Sequence, residues 1–271
     1  MTTRTAVITI VHGREQHLRN QRACLAADPP DLHVVVIMGD GPEPAGPSPC
    51  RTVVARLPAR ADLLPLAAAR NLGATTALDA GATTLVFLDV DCLPAPGLVT
   101  RYRAAARTPA VLCGPVTYLP PPPRSGYPLD DLPAWIDPHP GRPAPPDGQV
   151  VEDDRWHLFW SLSFALTART WTRVGGFCER YRGYGAEDTD FALSADRAGA
   201  RLLWLGGAHA LHQHHPPTRH QPGVEVQIVD NARVFHARWG WWPMPTWLED
   251  LRDRGLVDFD PANGTLRLTS S

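Results

Sequence analysis

Three short β-branched runs fall near the start of the chain, and each stops at polar residues: TAVITIVHG, LHVVVIMGDG and TTLVFLDVD. Between them lie two stretches of helical composition, REQHLRNQRACLAA and LLPLAAARNLGATTALDAG, the second closed by Gly81. Apolar runs without polar alternation suit strands covered on both faces. Strand, helix, strand, helix, strand in this order predicts an α/β domain with a Rossmann-like, mostly parallel sheet flanked by helices. Ligands of such sheets sit outside the carboxyl ends of the strands. His12, Asp40, Asp89 and Asp91 all fall there. The five-proline stretch from Gly41 to Pro58 reads as a loop.

The chain of 271 residues, 44% of them hydrophobic, is long enough for one large domain or a domain with an appendage. A net charge of −2 provides no global field for nucleic acid or an anionic membrane. Five cysteines without a CxxC pair read as free thiols of a reducing compartment. The opening MTTRTAVITIVHG is too short and too polar-flanked for a signal peptide, and no apolar run approaches the roughly 20 residues of a membrane helix. The expectation is a soluble, cytoplasmic protein with no integral membrane segment.

Downstream, Pro115 to Pro146 carries twelve prolines in thirty-two residues. It reads either as a surface linker or as an ordered loop over a site, since proline stiffness serves both. RWHLFWSLSFALTARTWTRVGGF resumes apolar structure, EDTDFALSADRAGAR reads as a helix with an acidic first turn, and RLLWLGGAHALHQHH as a strand running into histidines. EVQIVDNARVFHARWG reads as a helix before the tail RWGWWPMPTW. That tail can line an acceptor groove, seal a homodimer interface or, more simply, pack on the helix before it.

Three motifs carry chemistry. Asp89 and Asp91 are either a solvated turn or a site for a hard cation, which prefers carboxylate oxygens. Side chains one apart in a strand point to opposite faces, so the two acids are expected to do different jobs. In LHQHHPP, His212, His214 and His215 form either a basic loop or ligands to a divalent ion. In GGFCERYRGYGAEDTDFAL, glycines frame a turn into Glu187, Asp188 and Asp190. The helix dipole favours acids there, but three in four residues repel one another. Tyr184, between glycines, suits stacking against a sugar face, and a carboxylate beside it can deprotonate a hydroxyl.

DVD, then GGF…GYGAEDTDF about a hundred residues later, then LHQHH, together resemble a GT-A glycosyltransferase of the family 2 kind, with the pattern of the inverting β-1,4-galactosyltransferases. VHGREQHLRNQ resembles the donor-binding start of those enzymes, so the likeness runs in order over roughly residues 5 to 240. The resemblance implies the GT-A (nucleotide-diphospho-sugar transferase) fold, a nucleotide-sugar donor with UDP favoured, and Mn²⁺ or Mg²⁺ bridging its diphosphate. It makes Asp91 and His215 metal ligands, with His212 where the galactosyltransferases have a methionine ligand. His12, Arg14 and Asp40 would bind the nucleotide, Asp89 would lie by the ribose or the ion, and Arg70 would contact phosphate or base. Asp188 would be the inverting base and Glu187 would hold sugar hydroxyls. Tyr184, replacing the usual tryptophan, Gly185 and Trp160 would form the sugar and acceptor side. A single catalytic domain is expected over 1–215, with a nucleotide-binding half 1–115, a Pro-rich loop 116–150 and an acceptor half 151–215. A helical, Trp-rich extension over 216–271 would pack on it. The alternatives are a nucleotide-sugar-binding module without activity, a metal-dependent hydrolase, and a nucleotidyltransferase, although VHGREQ lacks the glycine-rich phosphate loop of the last.

Overall fold

The computed structural model describes residues 4–106, 109–216 and 223–269. β1 (Thr5–Val11) is buried along its whole length and leads through Gly13 and Arg14, both left-handed, into α1 (Glu15–Leu25). β2 (Leu32–Met38) is equally buried. The Pro-rich stretch after it is a loop only in its first part: Thr52–Leu57 forms β3, which pairs in parallel with β2. The prolines flank this strand without entering it, so its backbone donors remain available to the ladder. α2 (Leu66–Asp79) returns the chain to β4 (Thr84–Leu88). The ladder β3-β2-β1-β4 is wholly parallel.

β4 ends one residue before Asp89, and the chain turns there before β5 (Cys92–Pro94) and α3 (Leu98–Ala105). The two acids therefore lie in a turn, closed by the Cys92 amide donating to the Asp89 carbonyl (2.8 Å), and not on a strand as their spacing suggested. Next come β6 (Ala110–Cys113), β7 (Val116–Tyr118), β8 (Val150–Asp153), β9 (Ser163–Thr167), α4 (Ala168–Val174) and α5 (Glu187–Arg197). β9 enters antiparallel between β4 and β6, and β10 (Arg201–Leu205) and β8 complete an eight-stranded sheet in the order β3-β2-β1-β4-β9-β6-β10-β8. The expected strand over 201–215 breaks at Gly206 and Gly207. Its second half, β11 (Ala210–His212), joins β5 and β7 in a separate three-stranded sheet.

One face of the large sheet packs on α2, α4 and α5 through a cluster of aromatic rings, with Phe87 stacked on Phe164 (centroids 4.5 Å) and Phe177 on Phe191 (4.3 Å). The other face packs on α3 through Leu98, Val99 and Tyr102. The chain ends in α6 (Val224–Trp239), α7 (Pro245–Asp253) and the hairpin β12 (Val257–Asp260)–β13 (Thr265–Leu268). These share a core of their own around Ile228, Leu248 and Phe259, to which Tyr184 and Trp247 add. A buried carboxylate ties them to α5: Asp190 accepts from Tyr181 Oη (3.1 Å), Arg238 Nε (2.7 Å) and Trp239 Nε1 (2.7 Å). Among the described residues no helix is long and apolar enough to cross a membrane.

α2 lies close on β1 because residue 73 is glycine: a Cβ there would overlap the Ile8 Cγ2 methyl and sit 3.1 Å from Val36 Cγ2. Gly73 is three residues after Arg70, so this contact fixes how far that side chain reaches. Gly73→Val is expected to cost about 1–3 kcal/mol as an overpacked core position, read as a lower midpoint in urea unfolding. Gly81→Val, which meets only an arginine side chain but sits at a positive φ, would not serve as a control. Thr75→Val, at an exposed position of α2, does.

Candidate active site

The site forms where β1, β2 and β4 release the chain on one edge of the sheet. Asp91 is 9% exposed. Arg14 Nη1 donates to its Oδ2, His215 Nε2 lies 3.3 Å from Oδ2 and His212 Nε2 3.5 Å from Oδ1. One ligand atom from each of Asp91, His212 and His215 lies within 4.8 Å of the others. Three donors on one ion at metal–ligand distances of about 2.0–2.2 Å lie within about 4.4 Å of one another, so a small contraction of this cluster would close it on a cation. His214 is exposed and not in this cluster, so of the histidine pairs open at the sequence level, His212 and His215 are brought together. Burial pushes the Asp91 carboxyl up, but His212, His215 and Arg14 outweigh it and hold it well below the usual carboxylate range. Burial lowers the His212 imidazole below its ordinary value against the pull of Asp91, which favours the neutral form that ligates metals.

Asp89 turns the other way. Both its oxygens accept from Arg70 Nη2 (3.1 and 3.3 Å), while Arg70 Nη1 donates to Glu187 Oε1 (3.3 Å). Arg70 is 4% exposed, and its guanidinium also lies over the Phe177 ring, 5.3 Å from the centroid. One cation thus ties the end of β4 to the first turn of α5. The sequence expected a phosphate or base contact from Arg70; in the structure its nitrogens donate to Asp89 and Glu187.

Glu187 and Asp188 are delivered by a run of left-handed residues, Gly183 (φ 70°), Gly185 (φ 106°) and Ala186 (φ 69°). Ala186 is not glycine, and such a backbone persists only where surrounding structure holds it. The C-terminal elements do so: a Cβ at 183 would strike Gln227 Oε1, which accepts from the Tyr184 amide at 2.9 Å, and one at 185 would lie 3.1 Å from Met244 Sδ. Burial, then the neighbouring Asp188 charge, push the Glu187 carboxyl up to about 7 against Arg70. Burial also raises Asp188, against the Thr189 amide that donates to it at 2.7 Å. Glu187 is buried and paired with Arg70; Asp188 is half-buried and, among the described residues, makes no ion pair, although the Arg70 charge acts on it as well.

The other expected residues spread around this centre. His12 Nδ1 lies 2.9 Å from the Met38 carbonyl oxygen. Asp40 is exposed at the end of β2. Beside them a groove of about 100 Å³ runs between the start of α1 and the loop after β2, lined by Val11, Leu18, Ile37 and Pro42 with Glu15 and Arg19. Tyr184 stacks on Trp247 (centroids 5.4 Å, 4° between planes), so one face of its ring is already covered. Trp160 meets His139 edge-on at 5.2 Å and Arg142 at 4.9 Å. Both come from the Pro-rich segment, which is ordered structure against the site: Tyr118 stacks on His212 (4.6 Å), and Tyr127 Oη accepts from the His214 amide (3.0 Å). Sequence reasoning missed Tyr118, His17, Gln21 and Gln213. For Gln21 the signal was present, an amide among the apolar positions of α1.

Two solved structures share this architecture. The crystal structure of GalNAc-T7 with UDP, GalNAc and Mn²⁺ matches at a TM-score of 0.59 and 14% identity, over 96% of this chain and 53% of that one. S. aureus TarS matches at 0.55 and 14%, over 97% and 45%. The chain has the GT-A fold of these glycosyltransferases, a mostly parallel central sheet flanked by helices. It spans about half the length of each structure it matches. No protein-family model matches the sequence, and no curated protein is similar to it at a significant level.

Replacing Arg70 leaves two carboxylates without their cation in a buried place. Arg70→Met is expected to cost about 3–5 kcal/mol, as breaking a buried pair does, measured by urea unfolding at neutral pH. Arg70→Lys, which cannot fork to both acids, should lose less but fall short of wild type.

Proposed function

We propose that the chain is a metal-dependent inverting glycosyltransferase that moves a sugar, from a UDP-sugar in the first instance, to an acceptor hydroxyl. The observation that carries this reading is the division of acids at one sheet edge. Asp91 is held ionised beside two imidazoles and an arginine, while Glu187 and Asp188 are held with raised proton affinity. Pairs of acids whose environments push them apart in this way suit separate electrostatic and proton-transfer roles. The GT-A fold supports the transferase class, and the nearby structure solved with UDP, GalNAc and Mn²⁺ supports the donor and metal.

Asp91, His212 and His215 would hold the ion. One carboxylate with two neutral imidazoles fits Mn²⁺ better than Mg²⁺, which prefers oxygen throughout. When bound, the cation neutralises the diphosphate and acts as a Lewis acid on the leaving group. Arg14, beside Asp91, faces the same phosphates, and His12, Asp40 and the adjoining groove take the nucleoside. Asp188 accepts the proton of the acceptor hydroxyl as that oxygen bonds to the anomeric carbon and the bond to the nucleoside diphosphate breaks. Glu187, pinned by Arg70, is positioned to hold sugar hydroxyls, and Trp160, Tyr184 and Gly185 flank the acceptor side. The same proposal takes the protein to work in the cytoplasm.

Titration calorimetry with UDP, GDP and dTDP, each with and without Mn²⁺, tests the donor. UDP is expected to bind tightly only with the metal; no nucleotide binding in any condition would sink the transferase reading. Asp188→Asn is expected to bind donor normally and lose about 10²–10⁴ in turnover, and full activity would make Glu187 the better base. Because the base must be ionised and its proton affinity is raised, kcat/KM should fall as pH drops through the titration of the Glu187–Asp188 pair. That acid limb should lie above the value of about 4 for an exposed carboxyl.

A further inference from the structure

Gln213 stands between the two histidines of the candidate metal site and is 1% exposed. Its backbone amide donates to the Asp91 carbonyl at 2.7 Å. Its side-chain oxygen accepts from Asn20 Nδ2 at 2.8 Å, and its side-chain nitrogen donates to the His17 carbonyl at 3.2 Å. One residue therefore joins the turn bearing Asp91, the loop bearing His212 and His215, and the first turns of α1. The same helix grips the acidic turn directly: Gln21 Nε2 donates to the Asp89 and Cys92 carbonyls at 2.7 and 3.0 Å, and Gln21 Oε1 accepts from Thr9 Oγ1 at 2.9 Å. His17, Asn20 and Gln21 are spaced at i, i+3 and i+4, so they share one face of α1.

A buried amide gives up its hydration and returns little net stability even when fully hydrogen-bonded. A leucine or methionine would fill the same place without that cost. What the amide adds is direction, since its oxygen accepts from one partner and its nitrogen donates to another, each at one place. We propose that Gln213 is a positioning residue that fixes the spacing between the Asp91 carboxylate and the His212 and His215 imidazoles before the cation arrives, and so sets affinity for the divalent ion. The inference rests on the metal reading above and goes beyond it, because Gln213 offers the ion no ligand atom of its own. Groups that orient ligands from behind in this way commonly change metal affinity by about 10–100-fold when removed.

The test uses the full chain and the ion alone. Mn²⁺ affinity is measured from the paramagnetic resonance of the free ion, and the ligand field from the visible absorption of the Co²⁺ form. Gln213→Met removes the amide while keeping length and suiting burial; Asn20→Ala leaves the amide in place and removes its outer link, together with an exposed hydrogen bond from Gln16. Gln213→Met is expected to unfold cooperatively without metal, to bind Mn²⁺ about 10–100-fold more weakly, and to alter the Co²⁺ absorption. Asn20→Ala should shift both in the same direction by less. Affinity within about twofold of wild type and an unchanged Co²⁺ absorption for Gln213→Met would overturn the proposal. If Gln213→Met does not fold, unchanged affinity in Asn20→Ala overturns it instead. Wild-type protein that is folded and binds neither ion would sink the metal reading itself, an outcome distinct from failure of Gln213 alone.

Discussion

Asp89, Asp91, Glu187 and Asp188 converge on one edge of the sheet, and their mutual repulsion in a poorly solvated place would open that edge without a counter-charge. Arg70 supplies it. Its planar fork reaches Asp89 with one nitrogen and Glu187 with another, which a single ammonium could not do with the same geometry. The guanidinium is brought there by α2, which lies close on β1 because residue 73 has no side chain. Core packing and active-site electrostatics are thus one problem in this chain. The position of a helix against the sheet decides which acids share a cation.

The sharing is unequal, and the inequality is useful. Asp91 has Arg14 and two imidazoles to itself and stays ionised. Glu187 and Asp188 together have part of one arginine; burial raises both, and the neighbouring Asp188 charge raises Glu187 further. An acid kept charged suits a cation, and an acid of raised proton affinity suits proton transfer near neutral pH. Neither property belongs to the residue type; both come from how deeply each acid is buried and which partners lie within its reach.

The parts outside the central sheet complete the site. The C-terminal helices hold the left-handed turn before Glu187 through Gln227 and Met244, and are themselves fastened to α5 by the buried Asp190. The Pro-rich segment stacks Tyr118 on His212 and reaches the His214 backbone with Tyr127. Proline there limits the chain entropy lost on ordering, which helps a segment with little regular structure to keep a fixed course.

Much of this was legible in the sequence because it is local. Apolar runs ending at polar residues gave the strands of the parallel half, and acids and histidines at their ends gave the edge at which the candidate site forms. Glycines around Tyr184 marked the turn into the acid pair. Other features were misread for equally local reasons: prolines hid β3, which they only flank, and a strand-like period ran on through Asp89 and Asp91, where the backbone turns. What only the tertiary structure decided is pairing across distance. Arg70 and Glu187 are 117 residues apart, and Asn20 and Gln213 are 193. Periodicity and composition report what one element wants from its surroundings, an apolar face or a polar end. They do not report which distant residue meets it, because that depends on how helices seat against the sheet.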